Sequence, residues 1–572
     1  MTTGQGASKV TLFWPPRARN EEILSGGMAM RMNYSDRGPS PLEPEKPGAA
    51  GDRDSTFGWW GAFSIQKFVN QATLYHTHED ATGWLAYLQQ FYDRNFWFAD
   101  GGAQVWAYEE TYDNWQDRYG MDAVCAVYHS GHGGMDGNGV FFAPLGAVWD
   151  GRSDAISNRM ALGNEKVNYV FWSTCDSLKV TGGHSPIRTW AGPNIGFRMI
   201  FGFETTSIDS GDYGKKFWEK WRAGQTYCDA WLNASWDIYH GQAPSVAAVG
   251  TTQAEAVNRL NTERNFYRDH VPDTWYAWRW YYAREGVREP LTQLPGPQQI
   301  VQLAPRDPSA ELTALGRQAG FPTAALQEVQ VERQGVISAT SGDRVISTAP
   351  GASRWVKLAE PNHRNTQQLP TDRAIQAART FAEQYAEGAE LVVDSVHDLM
   401  QNSGTKDGSE VGRPVSLQTH VTFRQVFDGV PVITPGRGLI RVGLDNDGTV
   451  VQSQIATRQA TGVTREPSTE VSPPPPKGGK ATAAPLERDP RKALDAAQRK
   501  LLAELAAVTA GESGQGAAQQ RQPEVKDVPG TFEVGYEVEG NEAYPAARKL
   551  IEIGQRDSMF RTQRWVVAPL AR

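Results

Sequence analysis

Two short apolar runs, each ending in a turn of small residues, stand out in the first half of the chain. Residues 123–128 lead into His132, and residues 167–172 lead into Cys175. Runs this short, rich in valine and aromatic residues, are typical of buried strands in a parallel sheet. Because side chains that follow such strands meet at the carboxyl edge of the sheet, the pattern predicts an imidazole and a thiol at one edge. A thiol with a proton carrier within reach is what nucleophilic catalysis by cysteine needs.

The same pattern predicts regular elements on either side of these runs. A first strand is expected at 57–65, a helix with an apolar stripe at 81–92, and a strand after the cysteine at 198–203. Two aromatic-rich helices follow, separated by Gly224. The alternation of strands and helices predicts an α/β domain over 55–290, in which a mostly parallel sheet carries helices on both faces.

The pattern changes near residue 290, where aromatic residues thin out and apolar positions alternate with a period of two. Strands of an antiparallel sheet with one wet face are predicted at 329–333 and 344–347. A helix at 371–386 follows, and a further apolar run comes after it at 421–427. Residues 291–461 are therefore expected to form an α+β domain that is separable from the first.

The two ends of the chain and one internal tract differ from these domains. Residues 1–54 are rich in glycine, proline and charge, and are predicted to be a partly disordered N-terminal segment. Residues 462–488 contain four consecutive prolines and are predicted to be an extended linker. Asp489 and Pro490 suit the start of a helix, and alternating runs follow it, so 489–572 is predicted to be a helix-plus-strand module.

Composition narrows the function classes. The net charge of −8, without a basic cluster, argues against a nucleic-acid partner. No apolar run approaches the roughly 18–20 residues of a membrane span, and the N-terminus lacks the pattern of a signal peptide. Three cysteines in 572 residues fit a reducing compartment. A cytoplasmic location is therefore expected, with export by a route without a cleaved signal left open.

The residues around His132 and Cys175 resemble the caspase-like cysteine peptidases, the group of caspases, legumains, gingipains and metacaspases. The metacaspase sequence Tyr-Ser-Gly-His-Gly is closely matched by Tyr128-His-Ser-Gly-His-Gly133, and Cys175-Asp-Ser177 matches the polar residue and serine after the family's cysteine. The resemblance covers about residues 55–285. It implies a caspase-like endopeptidase in which Cys175 attacks the scissile carbonyl and His132 protonates the leaving amine. The amides of Gly133 and Cys175 would hold the oxyanion of a protein or peptide substrate, and no cofactor is required.

Substrate preference is not supplied by this resemblance. Metacaspases carry aspartate two residues before the cysteine, where this chain has Ser173. Acidic residues close to the pair in sequence would favour a basic side chain before the scissile bond: Asp136, Asp176, Glu204 and Asp209. A solvated acidic loop explains these residues equally well.

A segment of the predicted α+β domain resembles a second group of protein modules. Arg424-Gln425 followed by Asp428-Gly-Val-Pro-Val432 resembles the PepSY and fungalysin/thermolysin propeptide modules, which implies that the C-terminal region regulates the peptidase or recruits its substrate. The competing function is a catalytically idle caspase-like scaffold that binds or assembles proteins, because fold alone does not fix function.

His129 and His132 have half the spacing of a zinc site but no matching second pair, so no metal site is predicted.

Overall fold

A computed structural model describes residues 21–23, 29–35, 37–44, 57–284, 287–296, 299–332, 335–349, 353–464, 489–510, 523–555 and 558–570. Much of the predicted N-terminal segment lies outside these residues. The predicted linker 462–488 also lies outside them, apart from 462–464.

The N-terminal part of the described chain supplies twelve strands and six helices. The strands are β1 (Glu21–Ile23), β2 (Ala29–Ser35), β3 (Trp60–Ser64), β4 (Phe96–Ala99), β5 (Ala126–Ser130), β6 (Gly134–Met135), β7 (Phe141–Trp149), β8 (Arg152–Ile156), β9 (Tyr169–Ser173), β10 (Met199–Phe203), β11 (Pro244–Gly250) and β12 (Trp275–Arg284). The helices are α1 (Thr77–Leu88), α2 (Asp113–Tyr119), α3 (Pro186–Trp190), α4 (Tyr213–Arg222), α5 (Tyr227–Ile238) and α6 (Gln253–Thr262).

Five parallel strands form the part of the sheet that carries the predicted reactive residues. Their order is β4-β3-β5-β9-β10, and every neighbouring pair is parallel. The antiparallel strands β11 and β12 extend the sheet beyond β10. The chain is therefore α/β, with a mixed sheet.

The two faces of this sheet bury alternate side chains, as the pleat of a strand requires. On β9, Tyr169 and Phe171 belong to one core, and Val170 and Trp172 belong to the other. Helices α1, α4 and α5 cover the first face with a set of tryptophans: Trp84, Trp218, Trp221, Trp231 and Trp236.

Among the described residues, no long helix covers the second face, which differs from the prediction of helices on both faces. It carries the short helices α2 and α3, single turns of 3-10 helix, and a small sheet of β6, β7 and β8. One reason is local sequence. Gly101, Gly102 and Gly120 interrupt this region, and glycine lowers helix stability by roughly 1 kcal/mol relative to alanine.

The C-terminal part of the described chain supplies the remaining elements. The strands are β13 (Ile300–Leu303), β14 (Glu328–Glu332), β15 (Ile337–Ser341), β16 (Arg344–Thr348), β17 (Arg354–Lys357), β18 (Glu390–Thr405), β19 (Val415–Phe427), β20 (Val430–Pro431), β21 (Leu439–Asp445), β22 (Val450–Ile455), β23 (Ala460–Thr464), β24 (Glu524–Asp527), β25 (Glu533–Glu539), β26 (Glu542–Gly554) and β27 (Arg561–Pro569). The helices are α7 (Pro308–Gln318), α8 (Thr323–Gln327), α9 (Thr371–Tyr385) and α10 (Pro490–Ala510).

The sheet runs across the boundary predicted near residue 290. Strand β12 pairs antiparallel with β18 from Trp275↔Thr405 to Arg284↔Val396. Beyond β18 the order continues β19-β21-β22-β17-β16-β15-β14-β2-β1, which gives one sheet of 18 strands when β20 is included. The two halves share a ladder of backbone hydrogen bonds, which argues against their folding independently.

The last module has the predicted order of a helix followed by strands. Strands β24 to β27 join β13 and β23 in a second sheet of six strands. Helix α10 packs on this sheet through Leu494, which shares a core with Ile551 and Val566. Among the helices of the described residues, none is long and apolar enough to cross a membrane.

Candidate active site

His132 and Cys175 follow two neighbouring parallel strands at the same level. Strands β5 and β9 pair in register from Ala126↔Tyr169 to Ser130↔Ser173. Each reactive residue comes two positions after its strand ends. Because adjacent strands lie about 4.8 Å apart, the two turns are neighbours at the carboxyl edge of the sheet.

The turn that carries His132 packs directly against the turn that carries Cys175. A Cβ atom placed on Gly133 would lie 2.7 Å from the Cys175 carbonyl oxygen and 2.8 Å from Thr174 Cβ. Only glycine allows this approach. Among the described residues, neither the Gly133 amide nor the Cys175 amide donates a hydrogen bond to another residue. Two backbone donors therefore remain for an oxyanion at this edge.

The His132 imidazole is buried and held by one backbone atom. Its Nε2–H donates to the Ala72 carbonyl oxygen at 2.8 Å, and its ring lies 4.6 Å from the Phe68 ring. Its Nδ1 has no hydrogen-bond partner among the described residues. Burial lowers the pKa of His132 to about 4, against the opposing effects of the Ala72 bond and the nearby Asp209. The ring is thus neutral at pH 7, and its basic nitrogen is Nδ1.

Cys175 is 4% exposed as a residue, and its thiol makes hydrogen bonds on two sides. The Ser207 amide donates to Sγ at 3.2 Å, and the thiol donates to the Arg561 carbonyl oxygen at 3.2 Å. Burial, with a contribution from the Asp176 carboxylate, raises the pKa of Cys175 to about 12, although the Ser207 bonds lower it. The thiol is therefore protonated in this state.

The acidic residues proposed to bind substrate fall into two groups. Asp136 accepts two backbone hydrogen bonds within its own turn, from Asn138 and Val140 at 2.9 Å each. Asp176 follows the cysteine with a φ of +54° and pairs with Lys179 at 3.2 Å. Both residues are partly exposed at this edge.

Glu204 and Asp209 are engaged by backbone amides. Glu204 is buried and accepts from the Val180 and Thr181 amides. Asp209 accepts from the amides of Tyr75 at 2.9 Å and His76 at 3.1 Å, just before α1. Asp209 thus fixes the loop that supplies the Ala72 carbonyl.

Asp80 is a buried acid that no sequence pattern indicated, and it lies beneath the ends of β5 and β9. It accepts hydrogen bonds from Tyr128 Oη, Ser130 Oγ and the Gly214 amide, all at 2.8 Å. Burial raises the pKa of Asp80 to about 6, while its hydrogen bonds, including one to Ser173, lower it. This network ties α1 and α4 to the ends of β5 and β9.

Three other residues with reactive side chains, Cys125, Cys228 and His129, are packed in the protein interior. Cys125 and Cys228 are completely buried. His129 bonds to Tyr108 Oη at 3.0 Å and packs on Trp172. Within the described ranges, no three side chains of the histidine, cysteine, aspartate or glutamate type are grouped so as to hold a metal ion.

Residues 59–282 match a family model described as a domain of unknown function (DUF6345). The match spans about two-fifths of the chain and contains β3 to β11, most of β12, and both reactive residues. No curated protein matches the chain.

Proposed function

We propose that this protein is a cysteine endopeptidase that uses His132 and Cys175. The observation that carries the proposal is the in-register ending of β5 and β9, which brings a buried imidazole and a thiol to one edge. The Gly133 and Cys175 amides beside them donate to no other residue in the part of the chain that the structure describes. The resemblance of the two turns to caspase-like peptidases points to the same chemistry.

The hydrogen bonds of His132 support one assignment of the proton steps. Because Nε2–H is committed to the Ala72 carbonyl, Nδ1 of His132 is the atom that takes the thiol proton. The thiolate attacks the scissile carbonyl carbon, and the Gly133 and Cys175 amides stabilise the oxyanion. His132 then gives its proton to the leaving amine, which leaves a thioester on Cys175. Water, deprotonated by Nδ1, hydrolyses this thioester and restores the thiol.

The test is hydrolysis of a fluorogenic peptide library by the full-length protein. We expect cleavage to fall by several orders of magnitude in Cys175→Ala and in His132→Ala, because each removes a group that acts in the reaction. Cys228→Ala is the matched control, since it removes a buried thiol distant in sequence from the strand ends. Wild-type turnover in Cys175→Ala would exclude the mechanism.

A second candidate is a catalytically idle scaffold that binds other proteins. The observation in its favour is the state of the thiol, which is protonated and bonded to Ser207 and Arg561 rather than to His132. A thiol-reactive peptidyl probe separates the two functions. Labelling of Cys175 that is lost in His132→Ala supports the enzyme. If the probe does not label Cys175 although a small alkylating reagent reaches the thiol, the scaffold is supported.

A further inference from the structure

We propose that residues 558–563 are a built-in inhibitor of the His132–Cys175 site, seated in the groove that an extended peptide substrate would occupy. This covering segment comes from the C-terminal module and includes the first residues of β27. The assignment of the groove to a peptide rests on the proposed peptidase function; the occupancy of the groove rests on contacts alone.

The backbone of the covering segment binds the strand edge that holds the cysteine. The Arg561 carbonyl accepts from the Cys175 thiol at 3.2 Å. Two residues on, the Gln563 carbonyl accepts from the Asp209 amide at 2.9 Å, and Gln563 forms a parallel bridge with Ile208. The segment therefore forms a single parallel bridge beside residues 207–209, the same stretch whose Ser207 amide binds the thiol. Backbone pairing of this kind recognises an extended chain irrespective of its side chains.

Side chains of the covering segment lie over the glycine turn. A Cβ atom on Gly134 would come within 3.0 Å of Met559 Cγ and 3.3 Å of Phe560 Cδ1. Because Gly134 has no side chain, Met559 and Phe560 fit against it, one position after Gly133. Ser558 also bonds to Gln71 at 3.2 Å.

The residue after the covering segment contacts the loop that orients the histidine. The Arg564 guanidinium lies 4.8 Å from the Tyr75 ring centroid, and its Nη2 donates to His76 Nε2 at 3.3 Å. This loop supplies the Ala72 carbonyl that holds His132. The C-terminal module thus contacts the segments that position both members of the pair.

The geometry is that of an inhibitor rather than a substrate poised for cleavage. A scissile carbonyl oxygen would accept hydrogen bonds from the Gly133 and Cys175 amides, whereas the Arg561 oxygen accepts from the thiol itself. The Arg561 side chain is held by Glu552 at 2.6 Å, on the neighbouring strand β26. Strand β27 stays paired with β26 from Gly554↔Arg561 to Ala546↔Pro569, which keeps the segment in place.

The test measures access to Cys175 in the full-length protein with iodoacetamide, a small reagent that requires no peptidase activity. Two variants loosen the covering segment at different points: Arg564→Ala removes the contact with Tyr75 and His76, and Met559→Ala/Phe560→Ala removes the contacts over Gly134. Val567→Ala is the matched control, because this exposed residue lies on the same strand beyond the groove. We expect alkylation of Cys175, followed by peptide mass, to be about tenfold faster in both loosened variants. In Arg564→Ala this corresponds to the loss of one cation–π contact and one hydrogen bond. The control should match wild type.

The outcomes separate this inference from the proposed function. Faster alkylation with faster peptide hydrolysis supports both. Faster alkylation without any hydrolysis supports the occupancy of the groove and overturns the peptidase. Unchanged alkylation in both loosened variants, with an unchanged melting temperature, overturns the inhibitor. Scission after Arg561, seen as a mass loss that requires Cys175, would show that the segment is a substrate and would also overturn it.

Discussion

The protonation state of Cys175 gives a measurable prediction about the reactivity of the covered site. The thiol is buried beneath Arg561 and next to the Asp176 carboxylate, and both surroundings disfavour the thiolate. With a pKa of about 12, roughly one molecule in 10⁴ carries a thiolate at about pH 8, compared with about a quarter of molecules for a free cysteine. Alkylation of Cys175 should therefore be about three orders of magnitude slower than that of an unfolded cysteine.

The assay is a pH series of iodoacetamide labelling between about pH 6 and pH 8, with Cys175 quantified by peptide mass. Because the thiolate fraction of a weak acid grows tenfold per pH unit below its pKa, the rate should rise about tenfold per unit over this range without a plateau. Protein unfolded in urea provides the reference rate at each pH.

A rate that is independent of pH from about pH 6 upward would refute this reasoning. Such a plateau is the signature of a thiolate paired with a protonated imidazole. It would contradict the neutral His132, whose pKa burial lowers to about 4. In Arg564→Ala a given labelling rate should be reached at a lower pH, since loosening the covering segment lets water reach the thiol.

Three further changes test separate parts of the site and fold. Gly133→Ala would place a Cβ 2.7 Å from the Cys175 carbonyl oxygen, so kcat should fall by about 100-fold, as on loss of an oxyanion donor, with little change in circular dichroism. Asp209→Ala leaves two backbone amides without their acceptor, which should lower the free energy of unfolding by about 1–3 kcal/mol in urea titrations and reduce kcat through the loosened histidine loop. Burial holds the pKa of His397 well below 6.5, so the unfolded chain binds a proton that the folded chain does not, and stability is lost as pH falls below about 6.5. His397→Phe should reduce this loss by about 2 kcal/mol at about pH 5.

Local signals in the sequence predicted the elements that carry the reactive residues. The two aromatic helices separated by Gly224 are α4 and α5, and Gly224 adopts a φ of +96° between them. Such features depend on neighbouring residues alone. The strand β18 was missed because its 16 residues mix apolar, acidic and amide side chains without a clear period. Its pairing with β12 joins residues more than 110 positions apart, and no local pattern encodes that contact.

The partners of the candidate residues were harder to predict than the residues themselves. The Ala72 carbonyl and the Ser207 amide act through main-chain atoms, which leave no mark on side-chain identity. The charge of Glu204 and Asp209 favours a role in substrate binding, but the sequence does not show that backbone amides donate hydrogen bonds to their carboxylate oxygens. The contact of Cys175 with Arg561 spans 386 positions, so proximity along the chain gives no hint of it.

The shared sheet indicates how the site would open. Separation of the two halves would break the whole β12–β18 ladder, at a cost far above a typical local opening. The covering segment needs much less, because only the start of β27 reaches the groove while the rest of that strand remains paired with β26. Release of a few hydrogen bonds, each worth about 0.5–1.5 kcal/mol, corresponds to an open population of roughly 0.1–10%. A shift of that population by a single anchor such as Arg564 is then directly measurable, and we infer that local fraying of β27, rather than movement of domains, controls access to Cys175.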